Sequence, residues 1–148
     1  MSTPYDTPAV DRLPTFDRPP RVLIADDHPL FAQALRHALT DWHFDVLEPA
    51  RNGVEAVEIA ARERPDVVLM DVHMPVLDGI RATRQVRAFS PDTRVVAITS
   101  DDAPAISAAA RDAGASLVLL KTCAPDTLLD AVQRTASEAL AFRLPGAA

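Results

Sequence analysis

The stretch Val67-Val68-Leu69-Met70-Asp71 constrains this sequence more than any other. It is an unbroken β-branched and aliphatic run, with Arg64-Pro65-Asp66 before it and Val72-His73-Met74-Pro75 after it. A strand without polar alternation has to be covered on both faces, the condition met in parallel sheets clad by helices. Asp71 is then the first polar residue at the carboxyl end of a central strand, where open α/β sheets hold their ligands. Pro75 and Asp78-Gly79 send the chain into a loop, so the carboxylate is expected at the surface.

Four further runs repeat the pattern. Val22-Leu23-Ile24-Ala25 ends in Asp26-Asp27, and a short strand is expected near Phe44 to Leu47. Val95-Val96-Ala97-Ile98 ends in Thr99-Ser100, and Leu117-Val118-Leu119-Leu120 ends in Lys121. Helical patterns lie between them. His28-Pro29 opens the first helix, whose apolar stripe reads Leu30, Phe31, Ala34, Leu35, Ala38 and Leu39. The second follows the Asn52-Gly53 turn, is lined by Val54, Val57 and Ala61, and stops before Pro65. The third runs from about Ile80 to Phe89 and closes at Ser90-Pro91. The fourth is alanine-rich, with Asp101-Asp102 as its cap and Gly114 as its stop. The last begins near Pro125 and turns Leu128, Leu129, Val132, Ala136 and Leu140 inward.

Five alternating units predict an α/β fold, a flavodoxin-like (βα)5 doubly wound parallel sheet with strand order 2-1-3-4-5. Residues 21–141 carry it. Residues 1–20, interrupted by Pro4, Pro8, Pro14, Pro19 and Pro20, read as a disordered or loosely packed extension, and residues 142–148 as a tail or the start of a linker. A chain of 148 residues suffices for one such domain with a proper core. With Lys+Arg 15 against Asp+Glu 21 the formal charge is -6, which points away from nucleic acid and toward a cation as electrostatic partner. The single Cys123 rules out an intrachain disulfide and fits a reducing compartment. No apolar stretch approaches the roughly 20 residues needed to span a bilayer and the N-terminus lacks a signal-peptide core, so a cytoplasmic protein without a membrane partner is expected.

The strand ends carry the chemistry. In the order 2-1-3-4-5 the first and third strands are neighbours, so Asp26, Asp27 and Asp71 meet at one edge of the sheet, with Thr99 and Lys121 beside them. Three carboxylates in one crevice repel one another unless a cation sits among them. Oxygen ligands without His or Cys spacing suit a hard ion such as Mg²⁺. Lys121 offers a point charge and Thr99 a hydroxyl to phosphoryl oxygens, leaving Asp71 as nucleophile for phosphoryl transfer.

These residues resemble the receiver domain of bacterial two-component response regulators over about Arg21 to Ala141. The likeness rests on Val22 through Pro29, on Asp66 through Pro75 with Asp78-Gly79, on Thr99 and on Lys121; the Asp-Asp-His-Pro start is most similar to receivers that precede a helix-turn-helix DNA-binding domain. The resemblance implies that Asp71 accepts a phosphoryl group from a phosphohistidine of a histidine kinase or phosphotransfer protein. It also implies that Asp27, Asp71 and the backbone carbonyl of His73 ligate Mg²⁺, that Asp26 acts through water, and that Thr99 and Lys121 hold the phosphate. Such a domain signals by conformational switching and is not an enzyme beyond its own phosphotransfer and dephosphorylation.

Some positions depart from the family pattern. Val118 stands where receivers carry an aromatic ring that turns inward behind the threonine, so that half of the switch is missing. Thr122 follows Lys121 where many receivers have a cis proline, and a trans bond is expected there. Asp101 puts another negative charge near the phosphate site. The fourth helix, Ala103 to Ala113, offers mostly alanine and one large apolar side chain, Ile106, to solvent, a partner or a second copy in a homodimer.

Taken singly, each residue has a plainer reading. Asp26 or Asp27 alone suits a helix cap, Thr99 a strand end, and Lys121 a solvated charge; His28, His37, His43 and the His73 side chain read as structural or exposed, and Trp42 as a core cover. Three functions stay open. They are a phosphoacceptor switch, either stand-alone or a piece of a DNA-binding regulator; an aspartate-dependent phosphatase, which would need a second Asp where His73 stands; and a docking module that is never phosphorylated.

Overall fold

A computed structural model describes residues 18–143. Most of the proline-rich extension and residues 144–148 of the tail lie outside the described residues. The elements are β1 (Arg21–Ala25), α1 (Pro29–Asp41), β2 (Asp45–Val46), α2 (Gly53–Glu63), β3 (Val67–Asp71), α3 (Gly79–Phe89), β4 (Arg94–Thr99), α4 (Pro104–Asp112), β5 (Leu117–Leu120) and α5 (Pro125–Arg143). The strands form one parallel sheet in the order β2-β1-β3-β4-β5, as expected from the alternation.

Successive side chains along each strand feed two separate cores, because a strand has a period of two. Leu23, Val68, Met70, Val95 and Ala97 face α2, α3 and α4, meeting Ala56, Ala60, Ala82, Val86 and Ala110. Val22, Ile24, Val67, Leu69, Val96 and Ile98 face α1 and α5, meeting Leu35, Leu39, Leu128, Val132 and Ala136. All of β3 is buried, which is why its sequence shows no alternation.

Two helix faces differ from the expected ones. In α1 the sheet-facing residues are Ala32, Leu35 and Leu39, whereas Leu30 is 87% exposed and Ala34 is exposed. The small Ala32 lets the helix approach the sheet, a contact that a search for large apolar residues passes over. In α2 the buried residues are Gly53, Ala56 and Ala60, with Val54 and Ala61 turned outward. Close approach is again the reason: a Cβ on Gly53 would overlap the Leu77 carbonyl oxygen. Asn52 is the N-cap of α2, its side chain accepting from Glu55 N at 2.9 Å. Arg64 ends α2 in the left-handed conformation, φ 48°, before Pro65.

The Asp101-Asp102 pair does not cap α4 as expected. Ala103 occupies the N-cap without a side-chain bond, and Asp101 Oδ1 accepts from Ala103 N at 2.9 Å to turn the preceding loop. Ile106 and Val118 are half-buried against the α2–α4 core. The Lys121–Thr122 bond is trans, as every described peptide bond is. Arg18 holds the entry to the domain, its guanidinium donating to both oxygens of the fully buried Asp66 at 2.9 and 3.1 Å. Trp42 is partly exposed at the end of α1 rather than covering core. Among the described residues no helix is long and apolar enough to cross a membrane.

Candidate functional site

The parallel register sets β1, β3, β4 and β5 so that their carboxyl ends share one edge. Ala25 pairs with Met70 and Asp71 with Ile98, which brings Asp26, Asp71 and Thr99 to the same level. Lys121 follows β5 directly, and its N–H donates to the Thr99 carbonyl at 2.8 Å. Its side chain then crosses back over the sheet edge. Nζ donates to Asp26 Oδ2 at 2.9 Å and to Asp71 Oδ2 at 3.1 Å, and it lies 4.7 Å from the centroid of the Phe31 ring.

Asp71 is not at the surface as the loop after it suggested. It is 3% exposed, and Asp26 is 4% exposed. The reason is the reach of the lysine, which lies across both carboxylates and closes the floor of the crevice. Asp71 Oδ1 accepts from His73 N at 3.3 Å, so the peptide following the strand flanks the carboxylate. Asp27 sits at the exposed rim.

Burial raises the Asp71 pKa above the usual carboxylate range, and the neighbouring charge of Asp26 raises it further; Lys121 and the His73 N–H pull the other way without cancelling the shift. For Lys121 burial acts to lower the pKa, but the carboxylates of Asp26 and Asp71 outweigh it and hold the ammonium above its ordinary value. The site therefore has excess negative charge that one lysine does not neutralise.

Asp26, Asp27 and Asp71 each present a ligand oxygen within 4.8 Å of the others, and His28 adds a ring nitrogen to the same group. From the sequence alone His28 reads as structural or exposed, and the structure brings its ring to the carboxylates. Its N–H and its Nδ1 both approach Asp26 Oδ1, at 2.8 and 2.9 Å, and Nδ1 lies 3.2 Å from Lys121 Nζ. The signal was present in its position directly after the acidic pair, where an Asp side chain commonly bonds its own backbone two residues on. Thr99 is buried at the adjacent strand end, and its hydroxyl accepts from Asp101 N at 3.0 Å rather than engaging the carboxylate cluster.

The β3–α3 loop is fixed by close backbone contact. Gly79 N donates to the Val72 carbonyl at 2.7 Å, and a Cβ on Gly79 would overlap the Asp71 carbonyl oxygen. Asp78 caps α3, its side chain accepting from Arg81 N at 2.9 Å. These two residues hold the end of β3 and thus the position of Asp71.

The site is thus an acid-rich edge of a parallel five-stranded sheet, bridged by the lysine that follows its last strand. The chain belongs to the response regulator receiver domain family, which it matches over residues 22–133, and is a receiver of the two-component type. It is 35% identical over 117 residues to a nitrate/nitrite response regulator protein homolog of Haemophilus influenzae, covering 78% of this chain and 56% of that protein. Its structure is similar to the signal receiver domain of a NarL response regulator of Mycobacterium tuberculosis, with TM-score 0.78, 36% identity, and coverage of 81% of this chain and 98% of that one. It is also similar to a Burkholderia pseudomallei response regulator with a phosphorylated aspartic acid, a calcium ion and citrate, with TM-score 0.72, 28% identity, and coverage of 82% and 71%. The chain spans between 22% and 56% of the length of curated relatives such as a protein-glutamate methylesterase and the nitrate/nitrite regulator homolog.

Proposed function

We propose that Asp71 is the phosphoacceptor of this receiver and that it takes the phosphoryl group from a phosphohistidine of a histidine kinase or phosphotransfer protein. The observation that carries the reading is the Lys121 ammonium bridging two nearly buried carboxylates, 2.9 Å from Asp26 and 3.1 Å from Asp71. An Asp71 oxygen attacks phosphorus in line as the phosphorus–nitrogen bond breaks, leaving an acyl phosphate on the chain. Lys121, freed from the ionised carboxylate, follows the charge to a phosphoryl oxygen. The Thr99 hydroxyl donates to another, a role that leaves its lone pairs for the Asp101 N–H.

The donor set fits a divalent cation: three carboxylates carry more negative charge than Lys121 offsets, in a crevice partly withdrawn from water. Asp27, Asp71 and the His73 carbonyl would hold Mg²⁺ directly, with Asp26 acting through water. When bound, the ion neutralises charge on the transferring phosphoryl oxygens. The relative with a phosphorylated aspartic acid and a calcium ion supports both parts of this reading. A domain of this kind passes its signal to a partner or an output domain, and its similarity to proteins named as transcriptional regulatory proteins supports transcriptional output; we assign it to the cytoplasm as part of the same proposal.

The test is labelling by acetyl phosphate. Stoichiometric incorporation that requires Mg²⁺ and is absent in Asp71→Asn is expected, with no sustained turnover of a small phosphate ester. Equal labelling of Asp71→Asn removes the assignment, and multiple turnover favours a phosphatase.

A further inference from the structure

His28 has no part in the reading above. Its backbone N–H bonds Asp26 Oδ1, and this short turn brings the ring over the carboxylates. Nδ1 lies 2.9 Å from Asp26 Oδ1, 3.3 Å from Asp27 Oδ1 and 3.8 Å from Asp71 Oδ2, with Lys121 Nζ at 3.2 Å. One ring nitrogen cannot satisfy these neighbours at once: it donates to a carboxylate or accepts from the ammonium. A divalent ion among them would take the nitrogen lone pair and the carboxylate oxygens together.

We infer that His28 Nδ1 is a direct ligand of the divalent ion held by Asp27 and Asp71, and that this nitrogen shifts the site's preference from Mg²⁺ toward first-row transition ions such as Mn²⁺. The inference rests on the metal-site reading given under the proposed function. Mg²⁺ favours oxygen ligands and keeps its waters, so an imidazole adds little to its binding. Transition ions accept imidazole readily, so the same nitrogen adds to theirs. Among the described residues no other histidine joins the acidic group, and the His28 side chain is 64% exposed, which lets Nε2 face solvent while Nδ1 points inward.

Pulsed electron paramagnetic resonance of the Mn²⁺-loaded wild-type chain reads the ligand directly. Nitrogen modulation from a coordinated imidazole is expected, and it is expected to vanish in His28→Ala and His28→Gln. Calorimetric titration with Mg²⁺ and with Mn²⁺ gives the preference for Mn²⁺ over Mg²⁺, which should fall in both variants by on the order of tenfold. A wild-type spectrum without nitrogen coupling, or an unchanged ratio of affinities in the variants, overturns the inference. The wild-type spectrum decides even if a variant does not fold. A wild-type chain that binds Mg²⁺ and is labelled on Asp71 but has no nitrogen coupling removes only the role of His28; one that binds neither ion removes the metal site as well.

Discussion

Lys121→Met removes one positive charge from between two buried negative ones, and its cost can be worked from the geometry. The ligand oxygens of Asp26 and Asp71 lie within 4.8 Å of each other. The ammonium offsets their repulsion from 2.9 and 3.1 Å, each contact attracting by about 5 kcal/mol at an effective dielectric of about 20, and most of that gain is cancelled by the desolvation of the ammonium. Uptake of a proton by Asp71, whose pKa is already raised, caps the penalty. A net loss of about 3 kcal/mol in metal-free buffer is therefore expected, at the low end of what breaking a buried ion pair costs. For a domain of this size that corresponds to a fall of roughly 10 °C in Tm. Thermal unfolding followed by circular dichroism in EDTA measures it. Saturating Mg²⁺ should narrow the gap, because the ion supplies positive charge to the same carboxylates and binds the variant more tightly. The double variant with Asp26→Asn should recover most of the loss, since the two sites share one interaction. A Tm in EDTA within about 2 °C of wild type, roughly half a kcal/mol for a domain of this size, would refute the electrostatic account of the crevice.

Asp71→Asn should raise metal-free stability near neutral pH by about 1–2 kcal/mol, since it removes one buried charge and its repulsion from Asp26. Because the folded Asp71 pKa is raised, its favourable contribution is fully present below the ordinary value of 3.8 and is lost as pH climbs through the raised value; the pH slope of unfolding free energy in EDTA should flatten in the variant. Asp66→Ala should cost about 2–4 kcal/mol in a urea titration, because that buried carboxylate accepts from Arg21 N at 2.8 Å and from the Arg18 guanidinium. Gly79→Ala should destabilise by about 3 kcal/mol or more and lower the rate of acetyl phosphate labelling, as its Cβ forces the backbone at Asp71 to move.

Much of the architecture was legible because β3 and its neighbours carry continuous apolar runs that only a doubly clad parallel sheet can bury, and because Pro and Gly mark the element ends. The meeting of Asp26, Asp27, Asp71 and Lys121 followed from strand order alone. What escaped depends on tertiary approach. Ala32, Ala56 and Ala60 make the close helix contacts, while large residues such as Leu30 point outward, so size misled the choice of face. The burial of Asp71 depends on a side chain 50 residues away, and no local pattern announces it. His28 was passed over for a similar reason: its ring enters the cluster through a turn made by the Asp26 side chain, a three-dimensional event two residues long.

The atom that receives the phosphoryl group decides whether Asp71 is the phosphoacceptor. Reduction of the acetyl phosphate-treated chain with tritiated borohydride, followed by peptide mapping, marks an aspartyl phosphate as labelled homoserine. Label confined to position 71 is the predicted result. Label at Asp26 or Asp27, or phosphate retained on a histidine with position 71 unmarked, would contradict it.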